Sequence, residues 1–103
     1  MTYVENNDIN DLIKEGVHVI DFYATWCGPC KMLEPVLEEL ENNTDIDIIK
    51  VDIDKNQKLT YEYRILSVPT LVFVKDGKTV EELIGFHDKY DIEDVYKKLV
   101  SKD

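Results

Sequence analysis

Residues 26–31 read Trp-Cys-Gly-Pro-Cys-Lys and contain both cysteines of the chain, Cys27 and Cys30. This stretch lies between an apolar run that predicts a strand and a pattern that predicts a helix. A thiol at the start of a helix faces free backbone N–H groups and the positive end of the helix dipole, which favour the thiolate. Because the thiolate is the nucleophile, we expect Cys27 to be the more reactive thiol, with Cys30 one turn further in.

The two residues between the cysteines suit such a pair. Gly28 and Pro29 leave no bulk between the sulfurs, and proline is tolerated in the first turn of a helix. Two cysteines at this spacing, opening a helix after a strand, favour a redox role. An inert disulfide and a zinc site are the alternatives. Structural zinc takes four ligands, and the two histidines, His18 and His87, are not at finger-like spacing, so we predict no metal site.

The composition predicts one soluble domain, residues 1–103, that is large enough to bury a core without further cross-links. Lys and Arg number 12 against 22 Asp and Glu, which gives a net charge of −10. This balance argues against nucleic-acid or anionic-membrane partners and for a monomer. The first six residues have neither a basic start nor an apolar stretch, so we expect no secretory signal, and no apolar run approaches the ~20 residues of a membrane span. We therefore expect a cytoplasmic protein, in which two cysteines are more often catalytic or metal-binding than structural.

The apolar pattern predicts five strands and four helices in the order βαβαβαββα. The strands are expected at residues 2–5, 17–23, 46–53, 71–74 and 79–84. The helices are expected at four places: after a cap at Asn7 or Asp8 and up to Gly16, from the cysteine motif to Asn42 or Asn43, at 55–64, and around 92–99. Strand 17–23 is apolar on both faces, as a central strand is, and Asp-Gly at 76–77 predicts a type I′ hairpin turn.

This order predicts an α/β protein with a mixed central sheet and helices on both faces, because helical crossovers join parallel strands and the hairpin adds antiparallel ones. The second helix has an apolar stripe through Leu33, Val36, Leu37 and Leu40. Its acidic residues are expected to point outward and to serve solvation only. They are Glu34, Glu38, Glu39 and Glu41.

Asp21 is a lone carboxylate inside a strand that is apolar on both faces. Burial would raise the pKa of this group unless a partner compensates. On the residues alone, two interpretations of Asp21 are open: a carboxylate that pairs with a donor at the strand end, and a functional one. Lys50, on the more polar face of the next strand, would by itself be taken for a surface lysine.

The stretch at 26–31 is the active-site motif of the thioredoxin family, and the chain resembles that family over nearly its whole length. The resemblance implies the thioredoxin fold and a protein-disulfide reductase that works through a reversible Cys27–Cys30 dithiol/disulfide. It also implies disulfide-containing proteins as substrates and re-reduction by a separate thioredoxin reductase, so that no bound cofactor is needed.

The resemblance also implies roles for residues outside the motif. Asp21 matches the family's buried aspartate, which helps to exchange the proton of Cys30, and Lys50 matches the lysine that partners it. Pro69 matches the family's cis-proline, beside which the backbone of Val68 pairs with an extended substrate.

Two further residues match the family's substrate surface. Trp26 is expected to shield the thiols and contact substrate, and Gly85 to lie at the rim of that surface. Two positions depart from the commonest pattern of the family. Tyr23 stands where many members have tryptophan, and we expect it to retune the site modestly. Arg64 stands where a small residue is usual, and we expect it to alter which partners dock, so the substrate preference is the property that these departures affect.

Two other functions are weighed against the reductase. The first is an oxidase or isomerase of the same fold, against which stand Gly28, Pro29 and the missing signal sequence. The second is a binding module in which the fold serves as a subunit and the thiols take no part in chemistry.

Overall fold

A computed structural model of the chain describes residues 1–101, so the last two residues of the expected domain, Lys102 and Asp103, lie outside the described residues. The elements follow the predicted order βαβαβαββα. They are β1 (Thr2–Tyr3), α1 (Asn10–Ile13), β2 (Val17–Tyr23), α2 (Gly28–Asn43), β3 (Ile48–Asp52), α3 (Gln57–Glu62), β4 (Thr70–Lys75), β5 (Lys78–Ile84) and α4 (Lys89–Val100). None of the helices in the described part is long and apolar enough to cross a membrane.

The strands form one mixed sheet in the order β1-β3-β2-β4-β5, which confirms the predicted architecture and the central position of β2. β1, β3 and β2 run parallel, whereas β4 is antiparallel to both β2 and β5. In the register of β2 with β3, Asp21 lies opposite Lys50. Side chains at paired positions point to the same face of a sheet, so the register alone brings this acid and this base together.

Both faces of the sheet are covered by helices, as the apolar strands predict. One core cluster joins Ile20 and Phe22 of β2 to α1 and α3, through Ile13 and Leu59. The other joins Val19 of β2 to α2 and α4. Its members on these helices are Leu33, Leu37, Leu40 and Ile92. The apolar stripe of α2 is therefore buried against the sheet.

The predicted cap of the first helix is wrong. The helix begins at Asn10 after Ile9, and no side chain caps it. Asn7 is in the left-handed region with φ 58°, and its side-chain oxygen accepts a hydrogen bond from the backbone N–H of Leu59 at 2.8 Å. The side chain that local sequence assigned to a cap therefore ties the loop to α3 instead.

The turn that precedes β2 is hydrogen-bonded to the turn that follows β4. Asp76 and Gly77 both have positive φ, 51° and 85°, which confirms the predicted type I′ hairpin. Gly16, with φ 84°, lies beyond the end of α1 and not directly at its last turn. Its N–H donates to the Asp76 side chain at 2.8 Å, and its carbonyl accepts from the Asp76 N–H at 2.9 Å.

Candidate active site

Cys27 and Cys30 lie at the start of α2, where the sequence places them. Cys27 is the residue that caps the helix, with an extended backbone (φ −97°, ψ 116°), and Pro29 lies in the first turn. The two cysteines form a disulfide with Cα atoms 5.2 Å apart. The backbone N–H of Cys30 donates to Cys27 Sγ at 3.1 Å. A sulfur in this position accepts a hydrogen bond from one of the N–H groups that have no partner within the helix at its start.

The exposure of the two cysteines differs from expectation. We expected Cys30 to be the more deeply covered, but each residue is 5% exposed. Burial therefore does not distinguish them. What distinguishes them is the capping position of Cys27 and the hydrogen bond that its sulfur accepts.

The loop before β4 lies against the disulfide. The Val68–Pro69 peptide bond is cis, which confirms the prediction from the family pattern. Cys27 Sγ is 3.7 Å from the carbonyl oxygen of Val68. The N–H of Gly85 donates to the Pro69 carbonyl at 2.8 Å, so Gly85 lies beside the loop that contains the cis-proline.

Gly85 has φ 85°, a conformation that residues with a Cβ rarely adopt. A Cβ built on it would meet no atom within 4 Å, so the backbone conformation is what favours glycine here.

Trp26 lies at the surface beside the motif, with 67% of the residue exposed. Its indole N–H donates to Asp54 Oδ2 at 2.9 Å. The indole lines a groove of about 330 Å³ together with Val68 and the exposed Leu66. Most of the surface of this groove is apolar, and it lies next to the motif, because Trp26 directly precedes Cys27 in the chain.

Asp21 and Lys50 form a buried ion pair behind the cysteines. They are 1% and 2% exposed, and Lys50 Nζ donates to Asp21 Oδ2 at 2.8 Å. Lys50 is therefore not a surface lysine, and it is the partner of Asp21 that the resemblance implies. The ammonium also lies 4.4 Å from the ring centroid of Tyr23, as a cation over an aromatic face.

Lys50 has a second partner, Glu34, which sequence reasoning missed. Glu34 was expected to point to solvent, but its Oε1 accepts a hydrogen bond from Lys50 Nζ. A signal was present, because Glu34 follows Cys30 by four residues and so lies on the same side of α2. The expectation that this acidic face serves solvation only is wrong for Glu34. It is also wrong for Glu39, which pairs with Lys89, and for Glu41, which pairs with the N-terminal amino group.

The pKa values of the pair are both displaced upward. Burial raises the pKa of Asp21, and the attraction and hydrogen bond of Lys50 do not fully offset it. Burial lowers the pKa of Lys50, but its bonds to Asp21 and Glu34 more than offset that effect and raise it. In both cases the shift favours the form that carries the proton, so this buried cluster binds protons more tightly than the isolated side chains would.

A surface cavity of about 370 Å³ connects this cluster to the redox pair. Among the residues that line it are Cys30, Glu34 and Lys50, with Tyr3 and Tyr23 as aromatic walls. Most of its lining is apolar, but it is open to solvent, and Glu34 and Lys50 give water molecules polar groups to bind between the thiol and the ion pair. Tyr23, which departs from the family pattern, therefore lies on the wall of the site and touches the lysine.

The second departure, Arg64, follows α3 with φ 56°, in the left-handed region. Glycine, which has no Cβ, is favoured in this conformation, and this gives a physical reason for a small residue at the position. The histidines considered for zinc lie elsewhere: His18 is hydrogen-bonded to Asp47 and His87 to Asp91.

This arrangement is suited to one kind of chemistry, the exchange of disulfides with other proteins. A sulfur at a helix start is ready to be a thiolate, a second sulfur is bonded to it, and the backbone of Val68 lies beside them. The fold and the site define a thiol–disulfide oxidoreductase of the α/β class.

Comparison with known proteins gives the family. The Thioredoxin family model matches residues 2–98. The thioredoxin of Staphylococcus epidermidis is 44% identical over 97 residues, which cover 92% of this chain and 93% of that protein. The thioredoxin of Staphylococcus aureus is 42% identical with the same coverage.

Solved structures agree with the sequence relatives. A mutant thioredoxin from Halobacterium salinarum superposes with a TM-score of 0.88 and 42% identity, covering 95% of this chain and 88% of that one. Oxidised mitochondrial thioredoxin 3 from Saccharomyces cerevisiae has a TM-score of 0.84 and 35% identity, covering 96% and 95%. The chain belongs to the thioredoxin family, and it has the thioredoxin fold and the protein-disulfide reductase activity of that family.

Proposed function

We propose that this protein reduces protein disulfides in two exchange steps, with Cys27 as the attacking and Cys30 as the resolving cysteine. The observation that carries the assignment is the hydrogen bond from the Cys30 N–H to Cys27 Sγ at the start of α2. A hydrogen bond to sulfur is stronger for the thiolate than for the thiol, and so is the attraction of the helix dipole. Cys27 is therefore the sulfur that ionises more readily.

In the first step the Cys27 thiolate attacks one sulfur of the substrate disulfide. A mixed disulfide forms, and the other substrate sulfur leaves as a thiolate with the electron pair of the broken bond. In the second step Cys30 attacks Cys27 Sγ, the substrate's remaining sulfur leaves, and the Cys27–Cys30 disulfide forms. The protein is oxidised by two electrons and the substrate is reduced by two.

In the second step Asp21 accepts the proton of the Cys30 thiol. It takes this proton through the cavity that Cys30 and Lys50 line, so that Cys30 attacks as a thiolate. A raised pKa suits a carboxyl group that must accept a proton near neutral pH. The Lys50 ammonium stabilises the ionised carboxylate, which is the form that accepts this proton. Gly28 and Pro29 leave no bulk between the two sulfurs.

The substrate segment is placed on the surface formed by Val68, Pro69, Gly85 and Trp26. Main-chain pairing with Val68 gives affinity with little demand on sequence, which suits a broad range of disulfide-containing proteins. Val68 is close enough to Cys27 for a segment paired there to reach the sulfur.

The Cys27–Cys30 disulfide is then returned to the dithiol by a separate thioredoxin reductase, so the protein carries electrons without a cofactor of its own. We place it in the cytoplasm as a soluble monomer of one domain, residues 1–103, that contributes to electron transport and redox homeostasis. The acidic charge of −10 supports the absence of nucleic-acid and membrane partners.

The test is an insulin-reduction assay with dithiothreitol as electron donor. We expect the wild type to accelerate insulin precipitation and Cys27→Ser to run at the rate of dithiothreitol alone. Equal rates for the two proteins would overturn the proposal. Retained partner binding by Cys27→Ser, with no activity in the wild type, would indicate a binding module.

A further inference from the structure

One ammonium group is shared by two carboxylates beside the redox pair. Lys50 Nζ hydrogen-bonds Asp21 Oδ2 and Glu34 Oε1, and among the described residues these two are its hydrogen-bond partners. The side chains of Asp21 and Lys50 are each 2% exposed, whereas that of Glu34 is 33% exposed. With both carboxyl groups ionised, the cluster has one uncompensated negative charge.

A proton on one of the two carboxyl groups makes the cluster neutral, and the structure favours Asp21 for it. Asp21 is the more buried of the two, and its Oδ1 accepts no hydrogen bond from any described residue. The ionised form of a buried carboxyl group with an unpaired oxygen is costly. When Asp21 holds the proton, Lys50 and Glu34 remain a complete ion pair.

Without the charge of Glu34 the outcome would be different. Protonation of Asp21 would then leave the Lys50 ammonium buried with no negative partner, and an unpaired buried charge costs several kcal/mol. Asp21 would be forced to stay ionised to lower pH. The half-buried glutamate thus determines whether the buried aspartate can be neutral.

We propose that Glu34 is a positioning residue that keeps the Lys50 ammonium paired and thereby lets Asp21 hold a proton inside the folded protein. The use of this proton rests on the proposed function: the Cys30 thiol gives its proton to the Asp21 carboxylate, the Cys30 sulfur attacks Cys27, and the substrate sulfur leaves with the electron pair. Glu34 touches neither sulfur in this scheme and acts through Lys50.

Other titratable groups face the cluster and are left unchanged in the test. From β1, β2 and α2, the cavity beside Lys50 is lined by Tyr3, Tyr23 and Lys31, together with Cys30. Behind Tyr23, a second cavity of about 290 Å³ is lined by Glu5, Asp52 and Lys55. Burial is the main reason that the pKa of Asp21 is raised, and the charge of Glu34 adds to it while Lys50 opposes it.

The experiment is a titration of the Asp21 carboxyl carbon by NMR in the oxidised full-length protein. It compares the wild type, Glu34→Gln and the matched control Glu38→Gln, which removes an exposed charge one turn further along α2. We expect the Asp21 midpoint to move to lower pH in Glu34→Gln and to stay in place in Glu38→Gln. An unmoved midpoint in Glu34→Gln, or equal shifts in both variants, would overturn the proposal.

A second comparison tests whether Glu34 acts through Lys50. In a Lys50→Met background, Glu34→Gln should shift the Asp21 midpoint much less than it does with Lys50 present. A shift of full size in that background would mean simple repulsion between the two carboxylates and would refute the role of Lys50.

The rate of insulin reduction is recorded over the same pH range. A rate profile that moves with the NMR midpoint supports both the role of Glu34 and the proton role of Asp21. A midpoint that moves while the rate profile stays supports the role of Glu34 and removes Asp21 from the proposed mechanism.

Discussion

The backbone N–H of Cys30 donates a hydrogen bond to the sulfur of Cys27 across 3.1 Å, although the two residues are equally buried. This contact gives the two cysteines different roles in disulfide exchange. The sulfur that accepts the bond is stabilised as a thiolate, and the residue that donates it supplies the second sulfur.

This difference in roles predicts different products for the two serine variants. Cys30→Ser should stop after the first step, and the mixed disulfide should accumulate. The reason is that a serine hydroxyl stays protonated at neutral pH and cannot displace a thiolate from a disulfide. Cys27→Ser should trap almost none, since its remaining thiol lacks the capping position. Each variant is incubated with an oxidised protein substrate, quenched with acid and run on a non-reducing gel. Equal trapping, or trapping by Cys27→Ser alone, would reverse the assignment.

Asp21→Asn should make the protein more stable at neutral pH and slower in exchange. Because the folded pKa of Asp21 is raised, its favourable contribution is present below the unfolded value near 3.8 and is lost as pH rises through the folded pKa. Asparagine removes that loss, and Glu34 still pairs with Lys50. We expect a gain on the order of 1 kcal/mol at pH 7 that shrinks toward pH 4.

Urea unfolding at several pH values and a turnover assay measure these effects. Asp21→Asn combined with Glu34→Gln is the informative control, because it leaves Lys50 buried without a counter-charge and should cost several kcal/mol. A single variant that is less stable and equally active would make Asp21 an ordinary structural partner of Lys50.

Arg64→Gly should stabilise the fold, because Arg64 has φ 56° in a region that costs residues with a Cβ about 1–2 kcal/mol. Part of this gain is offset by the greater freedom of glycine in the unfolded chain, so we expect about 0.5–1 kcal/mol. Glu38→Gly, at an exposed position inside α2, should instead lose about 1 kcal/mol. Denaturant unfolding measures both, and a loss in Arg64→Gly would show that contacts of this side chain outweigh its backbone strain.

Alanine should have opposite effects at two glycines of the site. Gly85 has φ 85°, and an added Cβ meets no atom within 4 Å, so Gly85→Ala should cost about 1 kcal/mol through the backbone alone. Gly28 opens α2 with equal free space, and Gly28→Ala should be neutral or gain up to about 0.5 kcal/mol. Thermal unfolding separates the two, and a gain in Gly85→Ala would contradict the conformational argument.

Local sequence was enough for most of the fold. The apolar run of β2 and the stripe of Leu33, Leu37 and Leu40 predicted a two-sided sheet and its longest helix, and both are present. Asp76 and Gly77 predicted the hairpin turn, because a type I′ turn needs two residues that accept positive φ. These features depend on neighbours within a few residues, which is the range over which periodicity and turn preference act.

For the site, the cysteine spacing and the family pattern were enough to predict the redox pair, the cis peptide bond at Pro69 and the pairing of Asp21 with Lys50. They did not reveal Glu34 on Lys50, Asn7 on Leu59 or the equal burial of the two cysteines. Each of these is a contact between segments that are far apart in the chain, or the burial of a residue by such a segment. Strand register and helix packing place such segments, and the free energy of those arrangements is distributed over the whole core, so only the tertiary structure decided them.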